Sequence, residues 1–289
     1  MNERYGSQSM VAPLRRVLVR RPGESFGEAD PDVWHYRSSP DLPAARGEHD
    51  ALCELLRESG AEVIHHDAPG TTSADAIYVH DPCIVTSAGA ILLRMGKPLR
   101  GDEPGAIAVA LEAAGVPVHR ALEGEARAEG GDLLWLDDRT LAVGTGFRTN
   151  DEGVRQLEDA LDPLGAAIAV VPIPHPADPD ACLHLMSFIS MIDRDLALVY
   201  PPWMPAGLRS LLDDRGIATV EVPDSEIESM GPNVLAVGPR DCIALEGNPV
   251  TLERLVAAGC RVRTYRGKEI SLNAEGGPTC LTRPILRGV

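Results

Sequence analysis

The sequence predicts an α/β chain assembled from about five repeats of a strand–strand–helix–strand unit. Three observations predict it. Short apolar runs of strand composition recur along the whole chain, five helix-period segments are each embedded among two or three such runs, and no linker or composition break divides the 289 residues. One domain over residues 1–289 is therefore expected.

Residues 16–20 read as the first strand and 44–59 as the first helix, which ends at Gly60, a residue that can take the left-handed conformation closing many helices. Strand-like runs follow at 61–65, 76–85 and 90–93, and then a helix over 103–114 stopped by Gly115. Runs at 133–136 and 140–143 precede a helix over 150–164, with Thr149, Asn150 and Asp151 as capping residues, and a strand at 167–173. The fourth group has runs at 183–192, 196–200 and 218–222 around a helix over 205–214 that stops before Gly216. The fifth has runs at 234–237, 242–245 and 261–265 around a helix over 249–258 that stops before Gly259. The segment 23–40, rich in Gly, Ser and acidic residues, is a candidate lid or a plain connecting loop, and 171–179 is a proline-rich loop.

Composition narrows the function classes. The chain carries 43 acidic and 27 basic residues, a formal charge of −16, which repels nucleic acid and anionic membranes. No apolar run approaches the ~20 residues of a membrane helix, and the first residues do not read as a signal peptide. Six cysteines (Cys53, Cys83, Cys182, Cys242, Cys260, Cys280) lie far apart, with no CxxC pair. A reduced, cytoplasmic protein without a disulfide framework, metal or cofactor is expected, with a homodimer left open. His65-His66-Asp67 is the one dense metal-type cluster and reads better as a strand end.

Four islands place polar residues where strand-like runs end. Asp75 and Asp81, with His80 beside the latter, bracket an apolar run, and Arg94 and Arg100 follow. Glu129-Gly130-Gly131-Asp132 sets two carboxylates three residues apart on a flexible backbone, so that both can point into one cleft. His184 opens the run 183–192, and Cys280 follows a Gly-Gly pair in which positive φ costs little. Singly, each suits a turn, a core histidine or an inert buried thiol. Together they supply a thiolate, a proton shuttle and carboxylates for a planar cation.

In that order, over about residues 17–282, these residues resemble the guanidino-group-modifying superfamily, the pentein-fold arginine deiminases, dimethylarginine dimethylaminohydrolases and amidinotransferases. The matches are Asp75 and Asp81, Arg100, Glu129 to Asp132, Arg148-Thr149-Asn150, His184-Leu185-Met186-Ser187 and Gly276-Gly277-Pro278-Thr279-Cys280. The closest branch is the dimethylarginine dimethylaminohydrolases. The resemblance implies a pentein α/β-propeller of five ββαβ units around a central active site, acting without metal on a guanidino amino acid.

By the resemblance, Cys280 is the nucleophile, His184 the proton shuttle, Asp81 and Glu129 grip the guanidinium, and Glu129 also steadies His184. Arg100 and Arg148 bind the substrate carboxylate, and Asp75 binds its amino group or orients neighbours. These residue types suit the chemistry. A guanidinium is a poor electrophile, and bidentate carboxylates hold its carbon still for a thiolate whose free pKa is ~8.5. The implied reaction forms a thiouronium on sulfur and releases citrulline with an amine or ammonia. Two positions depart from the pattern: Met186 stands where arginine deiminases carry an acid, and His80 where the dimethylarginine branch does. An amidinotransferase and a non-catalytic binding pentein are the alternatives.

Overall fold

A computed structural model describes residues 4–174 and 183–288. The first unit runs β1 (Leu14–Val19), two single-turn helices α1 (Glu24–Gly27) and α2 (Pro31–Trp34), the long α3 (Leu42–Glu58) and β2 (Glu62–His65). The second is β3 (Cys83–Thr86), β4 (Gly89–Leu92), α4 (Glu103–Ala113) and β5 (Val118–Ala121). The third is β6 (Leu133–Asp137), β7 (Thr140–Thr145), α5 (Asp151–Leu161) and β8 (Ala167–Pro172). The fourth is β9 (Ile189–Asp193), β10 (Leu196–Val199), α6 (Ala206–Asp213) and β11 (Ala218–Glu221). The fifth is β12 (Leu235–Gly238), β13 (Asp241–Leu245), α7 (Pro249–Ala257) and β14 (Arg261–Tyr265), and β15 (Arg283–Arg287) follows.

Five three-stranded sheets result: β15-β1-β2, β3-β4-β5, β6-β7-β8, β9-β10-β11 and β12-β13-β14. In each, one pair is antiparallel and the other parallel. An antiparallel pair needs only a tight turn, whereas a parallel pair needs a crossover, and a helix supplies it in every unit. The first unit takes its antiparallel strand from residues 283–287, with Val17 opposite Pro284, so β15 and β1 join distant parts of the chain in one sheet. Aliphatic side chains fill the interior. One cluster, including Leu134, Phe188, Leu198 and Ala236, welds the third, fourth and fifth units, and another, including Leu14, Phe26, Leu52 and Leu245, welds the first and fifth.

Local signals act as read from sequence. The Asn150 side chain accepts a hydrogen bond from the Gly153 N–H and caps α5. Gly60, Gly115, Gly216 and Gly259 take φ of +90°, +81°, +66° and +82° just past their helices. Two strand expectations are corrected. Residues 76–85 are not one strand: Ala74–Ile77 is a 3-10 turn, and the strand begins only at Cys83. The whole stretch is buried, so its apolar character carries no period, and Pro82 bars an early ladder. In the run 183–192, the strand begins at Ile189, after a 3-10 turn over Leu185–Ser187. There the Ser187 hydroxyl accepts the His184 N–H and Asp132 accepts the Leu185 N–H, competing with a ladder.

Sequence reading gave no strand at Val118–Ala121 or Arg283–Arg287 and no helix in 23–40. Part of the proline-rich loop 171–179, and Cys182, lie outside the described residues. Among the described residues, no helix is long and apolar enough to cross a membrane.

Candidate active site

A cavity of about 560 Å³ opens where the units meet, and every unit contributes to its wall: Trp34, Asp81, Arg148, His184 and, from the turn before β15, Cys280. That size suits a single small molecule. Cys280 is half-buried, whereas Cys53, Cys83, Cys242 and Cys260 are buried and free. Burial pushes the Cys53 thiol up to about 12 and the Cys83 thiol to about 11, so neither supplies a thiolate near neutrality. Cys280 Sγ accepts a hydrogen bond from Asn233 Nδ2 at 3.4 Å. Neither Gly276 nor Gly277 takes a positive φ; Glu275 does, at +60°. The glycines instead allow close approach, because a Cβ at 276 would collide with the Tyr78 ring and one at 277 with the Asn233 side chain.

His184 Nε2 stands 2.7 Å from Glu129 Oε2. The other oxygen, Oε1, accepts the Gly96 N–H at 2.8 Å and the Lys97 N–H at 3.3 Å, and lies 3.6 Å from Arg148 Nη1. Burial alone would raise the Glu129 pKa, but the bond from His184 and the charges of His184, Arg100 and Arg148 hold it below the ordinary carboxylate range. An ionised carboxylate only accepts, so Nε2 carries the proton of the His184–Glu129 bond.

The two carboxylates of the Glu-Gly-Gly-Asp motif do not point into the cleft as expected. Glu129 is 0% exposed, and both it and Asp132 sit behind the wall. Asp132 accepts the Leu185 N–H at 2.9 Å and the Thr149 hydroxyl at 2.7 Å. Together they grip the His184 segment, Glu129 by its ring and Asp132 by its backbone. Gly131 permits this, since a Cβ there would lie 2.5 Å from His184 Nδ1.

Asp81 reaches the cavity, accepting the Gly131 N–H at 3.0 Å on Oδ1 and Arg100 Nη1 at 2.8 Å on Oδ2. Burial opposes its charge, but Arg100 and His184 keep its pKa below the usual value. Arg100 is itself 4% exposed and forms a two-pronged pair with Glu103, both bonds at 2.8 Å. His80 also lines the wall, with Nδ1 2.9 Å from the Thr282 carbonyl. Burial, aided by Arg283, pushes its pKa down to about 3, so near neutral pH the ring is uncharged, Nδ1–H donates and Nε2 is an acceptor. Asp75 takes the Tyr36 hydroxyl at 2.8 Å and Lys97 Nζ at 2.9 Å.

The cavity thus gathers Cys280, His184, Asp81, Asp75, Arg100, Arg148 and His80, with Glu129 directly behind; Arg94 is not on its wall. Sequence reading missed Lys97, Asn233 and Trp34, which reach it only through tertiary packing. The candidate lid 23–40 supplies Trp34, His35 and Arg37 to the lining, and Arg37 Nη2 bonds the carbonyl of Glu228, another lining residue, at 3.1 Å. Met186, Trp203, Ile227, Met230 and Pro232 form an apolar part of the lining. Among the described residues, no group of three His, Cys, Asp or Glu side chains is arranged to hold a metal ion.

Comparison with known proteins adds four relationships. A family profile described as arginine deiminase matches residues 72–213. The chain is 33% identical over 271 residues to the N(G),N(G)-dimethylarginine dimethylaminohydrolase of Streptomyces coelicolor, spanning 93% of this chain and 96% of that protein. It is 25% identical to an arginine deiminase of Rhodococcus jostii, over 98% and 97% of the two chains. Among solved structures, a mutant of the dimethylarginine dimethylaminohydrolase of Pseudomonas aeruginosa complexed with citrulline superposes with a TM-score of 0.77 at 23% identity, covering 94% of this chain and 99% of that one.

Proposed function

The chain belongs to the guanidino-group-modifying enzymes, the family of dimethylarginine dimethylaminohydrolases and arginine deiminases, and from that premise we propose that it hydrolyses the guanidinium of arginine or an N-methylated arginine through a covalent adduct on Cys280. Its fold is the pentein fold, five strand–strand–helix–strand units around a cavity. Like those relatives, it is a hydrolase of C–N bonds in linear amidines.

The observation that carries the reading is the convergence of Cys280, His184 backed by Glu129 at 2.7 Å, and Asp81 on one cavity. Asp81 accepts from the N–H edge of the guanidinium and fixes its plane. The Cys280 thiolate adds to the central carbon, His184 gives a proton to the departing nitrogen, and the amine leaves a thiouronium on sulfur. His184 then takes a proton from water, whose oxygen adds to the same carbon. The C–S bond breaks, citrulline leaves and the thiolate is restored. Glu129 holds the imidazole in orientation and offsets its positive charge. Arg148 binds the carboxylate end of the substrate, and Asp75 its amino group.

Met186 and the apolar lining support an alkylated guanidinium, since they offer a methylated nitrogen contact without demanding a hydrogen bond. Neutral His80 adds an acceptor without adding charge. The test is a ureido-product assay on arginine, monomethylarginine and asymmetric dimethylarginine, run with chelator and with Cys280→Ser as control. Product from at least one, insensitive to chelator and lost in Cys280→Ser, is expected. Product from none overturns the reading.

A further inference from the structure

Cys280 sits in a turn, and a side chain of the fifth unit fixes that turn in place. Asn233 Oδ1 accepts the Thr279 N–H at 3.2 Å, and Asn233 Nδ2 donates to Cys280 Sγ at 3.4 Å. The Thr279 hydroxyl adds a bond to the Val234 carbonyl at 3.5 Å. One amide thus binds two successive residues of the turn, the first through its acceptor and the second through its donor. A backbone N–H only donates, so Oδ1 belongs with Thr279 and an N–H of the amide belongs with sulfur.

Asn233 has little freedom to do otherwise. It is 5% exposed, and its own N–H bonds the Met230 carbonyl at 3.0 Å. The Ser190 hydroxyl, on β9, donates to the Pro232 carbonyl at 2.7 Å and accepts the Val234 N–H at 3.2 Å, so both chain neighbours of Asn233 are tied to the fourth unit. A Cβ at Gly277 would lie 2.3 Å from Asn233 Cγ. Tyr78, from the turn before β3, and Tyr265, at the end of β14, feel the charge of Cys280, but burial pushes both phenols up, so they stay uncharged near neutral pH. Their hydroxyls are paired with the Ile270 carbonyl at 3.0 Å and the Ser271 hydroxyl at 2.9 Å. His184, Asp81, Arg148 and Glu275 share the cavity wall with Cys280. Against these charged groups the amide is a neutral donor, present whatever the pH and whatever occupies the cavity.

We propose that Asn233 is a catalytic residue whose Nδ2–H stabilises the Cys280 thiolate and aims its sulfur at the guanidinium carbon. A thiolate accepts this bond more strongly than a thiol, so the donor favours the charged form. When the C–S bond forms, negative charge leaves sulfur and the hydrogen bond weakens. When that bond breaks after water has added, the charge returns, and the same donor assists the departing thiolate. The inference deepens the covalent reading and rests on it for the identity of the nucleophile.

The experiment follows alkylation of Cys280 by iodoacetamide across pH in wild type, Asn233→Ala and Asn233→Asp, scored by mass spectrometry of the peptide that holds Cys280. In Asn233→Ala the thiolate fraction near neutral pH is expected to fall about tenfold, the worth of one hydrogen bond to a charged group, read as a rise in the pH midpoint of alkylation. Asn233→Asp keeps an acceptor for the Thr279 N–H and so preserves the turn. Two anions in contact cannot both form readily, so the pair retains one proton and the midpoint should rise at least as far. An unchanged midpoint in both variants overturns the proposal. So does a rise in Asn233→Ala that Asn233→Asp lacks, because loss of the turn clamp alone would then account for it. Alkylation needs no turnover, so failure of the hydrolase reading shows separately, as midpoints that shift as expected in a protein that releases no ureido product.

Discussion

Glu129 Oε2 lies 2.7 Å from His184 Nε2, and the carboxylate that makes this bond has no exposure to solvent. A buried, ionised partner makes the imidazolium cheaper to form and fixes which nitrogen carries the shared proton. In the proposed mechanism the wall of the cavity therefore controls the proton shuttle from behind. Glu129→Gln should lower kcat by about 10²-fold, within the range of general acid–base effects, while KM changes little. Steady-state kinetics across pH check it. A variant with unchanged kcat would remove Glu129 from the mechanism.

Gly131 is required by proximity. An added Cβ would lie 2.5 Å from His184 Nδ1 and 2.7 Å from its Cγ, so the ring must move. Displacement of a catalytic group by about 1 Å costs about 10²-fold in rate. Gly131→Ala is accordingly expected to lose about that much kcat while unfolding cooperatively. Full activity would show that the ring position is not critical.

Much of this arrangement is legible in the sequence. The motif residues stand in order, the Asn150 cap and the four helix-ending glycines act where local chemistry puts them, and the strand–strand–helix–strand rhythm becomes five sheets. What escaped depends on the third dimension. Residues 74–86 are buried throughout, so nothing in their pattern separates a strand from a turn that displays Asp75 and Asp81. Lys97 sits in an ordinary Gly-Lys-Pro turn and Asn233 after Gly-Pro, and only folding brings them to Asp75 and Cys280. Spacing alone also cannot say that Glu129 and Asp132 turn away from the cleft to hold the histidine segment.

Buried histidines give the chain a defined pH response. Burial lowers His80 from 6.5 to about 3, and His49 and His66 to about 4. Unfolded histidines take up protons near 6.5 and these folded ones do not, so stability present above 6.5 is lost as pH falls toward 4. Asp132, raised to about 6 by burial, and Glu103, also raised by burial, oppose this at acidic pH, whereas Glu129 and Asp81, held low by their cationic neighbours, add to it. Denaturant unfolding should show stability falling from pH 6.5 to 4. His80→Asn should reduce the slope by close to one proton, ~1.4 kcal/mol per pH unit. Equal slopes would mean that His80 titrates normally.

Arg100 neutralises Asp81 and Glu103 in a nearly dry setting. Arg100→Met strands two buried carboxylates, and a loss of about 3–5 kcal/mol is expected. Urea unfolding of the variant measures it. A loss below about 1 kcal/mol, the worth of a surface pair, would contradict the buried-triad description.

The proposed mechanism turns on a covalent bond from Cys280 to the guanidinium carbon. Mass spectrometry of protein quenched in acid during turnover of an N-methylated arginine, followed by peptide mapping, tests it most directly. Added mass equal to the substrate less its departing amine is expected on the peptide holding Cys280 and absent from Cys280→Ser. Turnover with no adduct on that peptide, together with undiminished activity in Cys280→Ser, would contradict it.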